Sequence, residues 1–160
     1  MAVVSQDQLI LQRREWKRNG KRVVYTTGAF DLLHPGHIRL LEQARGLGDV
    51  LIVGVWSDAR VLSEKGAKRP ITPAAERAEI LAALAAVDSV AVLDDEQTAD
   101  EFLAQLLPDV LAMGGQSSVQ KTTFEGAEAV KAAGGRVMQI PLEPGHSTSR
   151  LLDRIQQLRA

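Results

Sequence analysis

Residues 23–37 read VVYTTGAFDLLHPGH and decide the fold. The stretch begins with a run typical of a short β-strand, is broken by Gly28, and ends where Pro35 can start an α-helix. Further apolar runs typical of strands lie at residues 50–56, 89–93, 110–113 and 136–140, and helical patterns separate them. The sequence therefore predicts five strands that alternate with helices.

This alternation predicts the class of the fold. Strands that are apolar on both faces occur in parallel sheets that are covered by helices and joined by right-handed crossovers. We therefore expect an α/β protein with a Rossmann-like, doubly wound parallel sheet of five strands flanked by helices. Ligands bind beyond the carboxyl ends of such strands, so residues 27–37, 57–73, 114–118 and 141–149 should converge on one cleft.

The helical patterns differ in length and in the clarity of their ends. Thr72 is expected to cap one of these helices, with Pro73 as its first residue. Residues 63–72 are polar and basic, which predicts a mobile loop before that helix. The helices themselves are predicted at residues 5–18, 35–47, 73–87, 99–107, 123–133 and 147–159, with a short turn near 59–63.

Length and composition limit the classes of protein to consider. A chain of 160 residues with 45% hydrophobic and 24% charged residues suits one domain over residues 1–160, with residues 1–20 as a helical lead-in. A net charge of −1 predicts no nucleic-acid partner, and the lack of a run of eighteen apolar residues predicts no membrane partner. The absence of cysteine excludes disulfides, a thiolate nucleophile and Cys-ligated zinc, so a cytoplasmic location is expected.

The turn after the first predicted strand carries two histidines. If Pro35 is the first helical residue, His34 and His37 lie three residues apart on one face of the first turn. Gly36 leaves room for a ligand at the helix N-terminus, whose free N–H groups favour phosphate. Because neither histidine has a nucleophilic partner at fixed spacing, the pair predicts charge stabilisation in phosphoryl or nucleotidyl transfer.

Two other interpretations of the histidines stay open. The pair can simply be surface residues at a helix start, or His34, His37 and His146 can be the three ligands of a zinc hydrolase. The standard P-loop, dinucleotide fingerprint, Gly-x-Ser-x-Gly elbow and His-Glu-x-x-His motifs are absent from the sequence.

The pattern Gly28-x-Phe30-Asp31-x-x-His34-x-Gly36-His37 resembles the signature of the HxGH nucleotidyltransferases. The resemblance extends over residues 22–158. Within that family the chain most resembles the adenylyltransferases that form ADP-heptose from heptose 1-phosphate and ATP, and next the glycerol-3-phosphate cytidylyltransferases. The other matching segments occur in the family's order: Trp56-Ser57-Asp58, Lys65-Gly66, Arg69-Pro70, Glu76-Arg77, Met113-Gly114-Gly115 and His146-Ser147-Thr148-Ser149.

The resemblance implies a role for each matched position. His34, His37 and Lys65 are the implied catalytic residues, and the histidines would bind the triphosphate and steady the α-phosphate. Mg²⁺ would bind through the triphosphate without a protein ligand that can be named, and a homodimer is expected. The implied acceptor-binding residues are Asp31, Gly115 and Gln116. The implied nucleotide-binding residues, besides the two histidines, are Thr27, Gly28, Ala29, Phe30, Arg69, Arg77, Gly114, Ser147, Thr148 and Ser149.

One segment departs from the family. The heptose adenylyltransferases usually have Lys-Gly-Gly-Asp where this chain has Met113-Gly114-Gly115-Gln116, and the cytidylyltransferases continue with acidic residues after Met-Gly. The favoured reaction is transfer of AMP from ATP to a sugar 1-phosphate such as heptose 1-phosphate. The alternatives are a cytidylyltransferase that uses CTP and glycerol 3-phosphate or a similar polyol phosphate, and a nucleotide-binding module without catalysis.

Overall fold

The computed structural model describes residues 2–93, 99–115, 124, 126–142 and 144–158. Strands and helices alternate along these residues, which confirms the predicted α/β class. The elements are β1 (Ala2–Val3), α1 (Gln6–Arg18), β2 (Val23–Gly28), α2 (Pro35–Arg45), β3 (Val50–Val55), α3 (Asp58–Lys65), α4 (Ala74–Ala82), β4 (Ser89–Val92), α5 (Ala99–Leu106), β5 (Val110–Gly115), α6 (Ala127–Ala132), β6 (Arg136–Pro141) and α7 (Thr148–Gln157).

The strands form one parallel sheet in the order β1-β4-β3-β2-β5-β6. The five predicted strands are its β2 to β6. The two-residue strand β1 extends the edge because Ala2 and Val3 pair with Ser89 and Val90. A strand this short carries no periodicity, so no pattern in the sequence indicated it.

Helices cover both faces of the sheet. Helices α2 and α4 pack on one face, where Leu41 and Leu81 have no exposed surface. Helices α1, α5 and α6 pack on the other face through residues such as Leu9, Phe102 and Val130. Because side chains alternate along a strand, Val24 of β2 lies in the first core and Tyr25 in the second.

The strand order places the site. Strand β2 lies between β3 and β5, so the chain continues in opposite directions from it across the sheet. A crevice opens at the carboxyl ends of two strands at such a switch point. The residues at this edge are Gly28 at the end of β2 and Gly114 and Gly115 at the end of β5.

Two local predictions near this edge were wrong. Residues 58–65 form the helix α3 in place of a short turn, because the side chain of Ser57 caps it by accepting from the Arg60 N–H at 3.0 Å. The basic loop is therefore shorter than predicted. Helix α4 begins at Ala74 and not at Pro73, since its first N–H donates to the Asp58 carboxylate at 2.8 Å and Thr72 does not cap it.

Among the described residues, no helix is both long enough and apolar enough to cross a membrane.

Candidate active site

The two histidines of the turn after β2 stand ring against ring. Helix α2 begins at Pro35 as predicted, with His34 in extended backbone at the N-cap. The imidazoles of His34 and His37 stack with 3.8 Å between ring centroids and 26° between ring planes. The prediction that both rings lie on one face is confirmed. Gly36 allows this close packing, because a Cβ there would lie 3.0 Å from the His34 ring and 3.1 Å from the Cβ of His146, and these side chains would have to shift.

The surroundings of the histidine pair favour its neutral form. Burial, and then the neighbouring His34, lower the pKa of His37 to about 4. Burial, and then His146, lower the pKa of His34. The Nδ1 atoms of His34 and His37 are buried and have no protein partner. Such orphaned polar atoms are rare in folded proteins, and each of them calls for an explanation such as a bound ligand.

Phe30 packs against the His37 ring of the pair. Its ring is 4% exposed and lies 5.4 Å from the His37 ring, and its backbone is left-handed with φ +47°. A bulky residue in this region is uncommon and typical of turns held by their surroundings at functional sites. The Phe30 side chain therefore belongs to the core, and the implied nucleotide contacts of residues 28–30 stay a prediction. Thr27 donates its hydroxyl to the Gly54 carbonyl at 2.9 Å.

Asp31 does not face the cleft. Its side chain has no exposed surface, and its carboxylate accepts from the backbone N–H groups of Ile71 and Thr72 at 2.8 Å and pairs with Arg69. Burial alone would raise the pKa of Asp31, but the Thr72 and Ile71 N–H groups and the Arg69 guanidinium outweigh it and hold that pKa below its usual range. The expected contact of Asp31 with an acceptor therefore has no exposed oxygen to make it.

Arg77 is enclosed as well. It is 1% exposed, and its N–H groups donate to the carbonyls of Thr72 and Ala29 and to the Asp58 carboxylate. The role near the phosphates implied by the resemblance lacks an exposed N–H in this structure. Arg77 faces inward, and nothing local in the sequence indicated its pairing with Asp58.

The N-terminus of α7 meets the histidine turn. Ser147 caps α7 by accepting from the Arg150 N–H at 3.2 Å, and the Thr148 hydroxyl donates to the Leu32 carbonyl at 3.3 Å. The His146 ring lies nearly parallel to that of His34, with 6.4 Å between centroids. The structure thus brings the third histidine and the hydroxyl segment 147–149 to the same place as the first two histidines, as the sequence predicted.

A cationic group lies at the end of β3. The Arg60 guanidinium is 4.4 Å, and the Lys65 ammonium 5.9 Å, from the centroid of the Trp56 ring. Lys65 is exposed at the end of α3, and its ammonium group lies over this ring. The sequence indicated Trp56 only through the family match, and its packing under two cations was missed.

The remaining predicted residues lie at the end of β5 or beyond the described part. Gly114 and Gly115 end β5, where added Cβ atoms would lie 3.0 Å from Leu40 and 3.1 Å from Gln139. Gln116 lies outside the described residues. Among the described residues, no group of three or more His, Asp or Glu side chains could hold a metal ion, so His34, His37 and His146 do not form the set of three ligands that a zinc hydrolase requires.

The sequence matches the family described as Cytidylyltransferase-like over residues 25–154. The chain is 47% identical over 152 residues to the "Bifunctional protein HldE" of Koribacter versatilis, a match that covers 95% of this chain and 31% of that protein. It is 50% identical over 142 residues to the protein of the same name from Citrifermentans bemidjiense, covering 89% and 28%. The chain thus spans about a third of the length of these relatives.

Solved structures share the fold. The "lipopolysaccharide core biosynthesis protein" of Thermoplasma volcanium superposes with a TM-score of 0.63 at 27% identity, covering 78% of this chain and 98% of that one. The pantothenate synthetase of Thermus thermophilus has a TM-score of 0.57 at 17% identity, covering 88% and 62%, and this likeness extends to the fold alone.

Proposed function

The chain belongs to the cytidylyltransferase-like family, and from that premise we propose that it is a nucleotidyltransferase that moves AMP from ATP onto heptose 1-phosphate. The observation that carries the proposal is the stacked pair of His34 and His37 at the N-terminus of α2, where burial lowers the pKa of both imidazoles. A triphosphate supplies the negative charge and the acceptor oxygens that this pair and the helix N-terminus lack.

The reaction balances without an outside reagent. A phosphate oxygen of the acceptor attacks the α-phosphorus of ATP, and the bond from that phosphorus to the bridging oxygen of the β-phosphate breaks. Pyrophosphate leaves with the electron pair, and the product is a diphosphate that joins the nucleoside to the sugar. The five-coordinate transition state gathers negative charge on its equatorial oxygens, and preorganised N–H donors are most effective there.

Each helix N-terminus serves a different part of the triphosphate in this proposal. His34 and His37 hold the α-phosphate through imidazole N–H groups. The start of α7, with Ser147, Thr148 and the adjacent His146, holds the β- and γ-phosphates that leave. Two contacts support this division of the triphosphate. The Thr148 hydroxyl donates to the Leu32 carbonyl, and the rings of His34 and His146 are nearly parallel, so the start of α7 lies beside the start of α2.

The described residues suit a magnesium ion that binds through the nucleotide, and not one held by protein ligands. The described residues offer no cluster of three or more carboxylates and imidazoles for a metal, and the Asp31 carboxylate is fully engaged within the protein. When bound to the triphosphate, Mg²⁺ would neutralise charge on its oxygens. The residues of this chain would orient the nucleotide, and the exposed cation of Lys65, which lies over the Trp56 ring, would act on its phosphates.

The base and the acceptor follow from the sequence resemblance to ADP-heptose-forming enzymes, and similarity to the HldE proteins supports the same choice. Met113 is the observation that favours the second candidate, CTP with a polyol phosphate, because it stands where the heptose enzymes usually have lysine. A cytoplasmic location, which provides ATP, belongs to the proposal.

We include a homodimer in the proposal, with a second copy as the occupant of the apolar face of α7. Leu151, Ile155 and Leu158 recur at i, i+4 and i+7 on this helix, and Ile155 and Leu158 are 47% and 81% exposed. A two-fold related copy presents the same stripe, so the apolar faces of two copies can bury each other.

The proposal is tested by measuring pyrophosphate release with magnesium and each of the four ribonucleoside triphosphates against heptose 1-phosphate, other sugar 1-phosphates and glycerol 3-phosphate. We expect release with ATP and heptose 1-phosphate. Release with CTP and glycerol 3-phosphate alone would assign the second candidate. Nucleotide binding without release across the whole panel would contradict catalysis and favour a nucleotide-binding module.

A further inference from the structure

The loop between α3 and α4 is tied to the histidine turn by a buried carboxylate. Asp31 lies three residues before His34, and its side chain has no exposed surface. The partners of this carboxylate come from the loop: the N–H groups of Ile71 and Thr72 and the guanidinium of Arg69. The turn therefore holds the loop by main-chain and side-chain contacts together.

Arg77 holds the same loop from the other side. Its Nε donates to the Thr72 carbonyl at 2.8 Å, so Thr72 is bound through its N–H by Asp31 and through its carbonyl by Arg77. Another Arg77 N–H donates to the carbonyl of Ala29 in the histidine turn. The third contact, at 2.6 Å, is with Asp58, whose carboxylate also accepts the first N–H of α4.

Both charges are costly to enclose without partners. A buried ion is tolerated when it is paired and hydrogen-bonded, and removal of one partner leaves the other uncompensated. All the hydrogen-bond partners of the Asp31 carboxylate come from the loop, so its charge is compensated only when the loop sits against the turn. Arg77 is paired with Asp58 and adds one hydrogen bond to the loop, at the Thr72 carbonyl.

Two lysines flank or belong to this loop. Lys65 ends α3 immediately before the loop, and Lys68 lies within it, while the charge of Arg69 is already paired with Asp31. A cation acts on a phosphate only at close range, so the position of the loop relative to His34 and His37 decides whether these charges reach the triphosphate.

We propose that Asp31 and Arg77 are positioning residues that form a clasp, fastening residues 66–73 to the histidine turn so that the cations of the loop stand beside the triphosphate. The proposal rests on the proposed function for the identity of the triphosphate. It replaces the roles in substrate binding that the family resemblance implied for both residues.

The rate of limited digestion by trypsin tests the clasp without any substrate. Lys65 and Lys68 are cleavage sites in or beside the loop, while Arg69 precedes Pro70 and is not one. Loss of charge-assisted hydrogen bonds in Asp31→Asn, and more completely in Asp31→Ala, should speed cleavage after these lysines by about tenfold or more. Asp49→Asn is the matched control, because Asp49 also accepts a backbone N–H, that of Arg22 at 2.7 Å, but at the opposite end of the sheet.

Thermal unfolding of each variant verifies that it folds before the digestion is compared. Wild-type cleavage rates in folded Asp31→Asn and Asp31→Ala would overturn the clasp. If Asp31→Ala does not fold, Asp31→Asn decides alone, since it keeps the volume of the side chain.

Kinetics distinguish positioning from acceptor binding. The clasp predicts that Asp31→Asn lowers kcat and raises the KM for ATP, with the KM for the acceptor nearly unchanged, because the displaced cations serve the triphosphate. A selective rise in the KM for the acceptor, with normal tryptic cleavage, would make Asp31 an acceptor ligand and overturn the clasp. If the wild-type chain releases no pyrophosphate, the proposed function fails, while the digestion still decides whether the clasp exists.

Discussion

The imidazole of His37 lies 3.8 Å from that of His34, ring centroid to ring centroid, and the pKa of His37 is lowered to about 4 by burial and by His34. Two imidazoles at this distance repel each other when both are charged, and burial penalises either charge. An anion placed against both rings reverses these effects. We therefore expect substitution of His37 to change the affinity for nucleotide, the uptake of protons on binding and kcat.

Replacement of His37 by alanine should reduce kcat by about 10²–10³-fold, the usual cost of removing one preorganised donor to a transition state. Binding of ATP should weaken much less, since the N-terminus of α2 remains. Steady-state kinetics and calorimetric titration of ATP measure the two effects. Asp49→Asn serves as the control at the far end of the sheet, and equal kcat values for His37→Ala and this control would contradict the role of His37.

His146→Ala should act mainly on nucleotide binding. His146 is exposed and lies 6.4 Å from His34, at the start of α7 where we place the leaving phosphates. Exposed charged contacts contribute little, so the KM for ATP should rise by about 2–5-fold with kcat within about twofold. A fall in kcat as large as that of His37→Ala would place His146 at the α-phosphate and contradict this division of the site.

Binding of ATP should take up protons. The triphosphate raises the pKa of His37 from about 4, so near neutral pH the complex holds more protons than the free chain, and affinity should increase as the pH falls from about 7.5 toward 6. Calorimetry in two buffers of different ionisation enthalpy measures the uptake directly. After the ionisation of ATP itself is subtracted, His37→Gln should remove part of the uptake. Identical uptake in wild type and variant would show that His37 is not the group that titrates.

The same histidine should make the chain sensitive to acid when nucleotide is left out of the solution. Because the pKa of folded His37 is about 4 and its usual value is 6.5, the unfolded chain binds more protons between these values, and stability is lost as the pH falls through this window. Between pH 7 and pH 5 the loss from His37 should be about 1–2 kcal/mol. Denaturant unfolding of wild type and His37→Gln measures it, and parallel pH dependences in the two proteins would contradict the lowered pKa.

The apolar face of α7 should hold two copies together. Ile155→Asp and Leu158→Asp place charges on that face and should convert a dimer into a monomer in light scattering after gel filtration. Leu11→Asp is a matched control, because Leu11 is an exposed leucine, 60% accessible, on α1. A wild-type monomer, or a dimer that survives both α7 substitutions, would contradict this interface.

The features that the sequence predicted well are local in the chain. The start of α2 at Pro35 and the pairing of His34 with His37 follow from spacing within one helical turn. The start of α7, predicted at residue 147 and observed at Thr148, follows from hydroxyl residues before an amphipathic run. The alternation of apolar runs predicted the parallel sheet because each crossover has its own helix.

The features that it missed join distant residues. Asp31 meets Ile71 and Thr72 across 40 and 41 positions, and Arg77 meets Asp58 across 19. No periodicity records such pairs, and a single arginine in a helix is normally interpreted as an exposed charge. Burial reverses that interpretation for Arg77, because its three acceptors come together only after the loop and the histidine turn have folded against each other.

The most direct test of nucleotidyl transfer follows the oxygen atoms of the acceptor. Heptose 1-phosphate labelled with ¹⁸O in its non-bridging phosphate oxygens is incubated with ATP, magnesium and the chain, and the products are analysed by mass spectrometry. The proposed attack on the α-phosphorus predicts ADP-heptose that retains every label and pyrophosphate that carries none. Label in pyrophosphate or in free phosphate, or the absence of ADP-heptose from a folded chain that binds ATP, would contradict the proposed reaction.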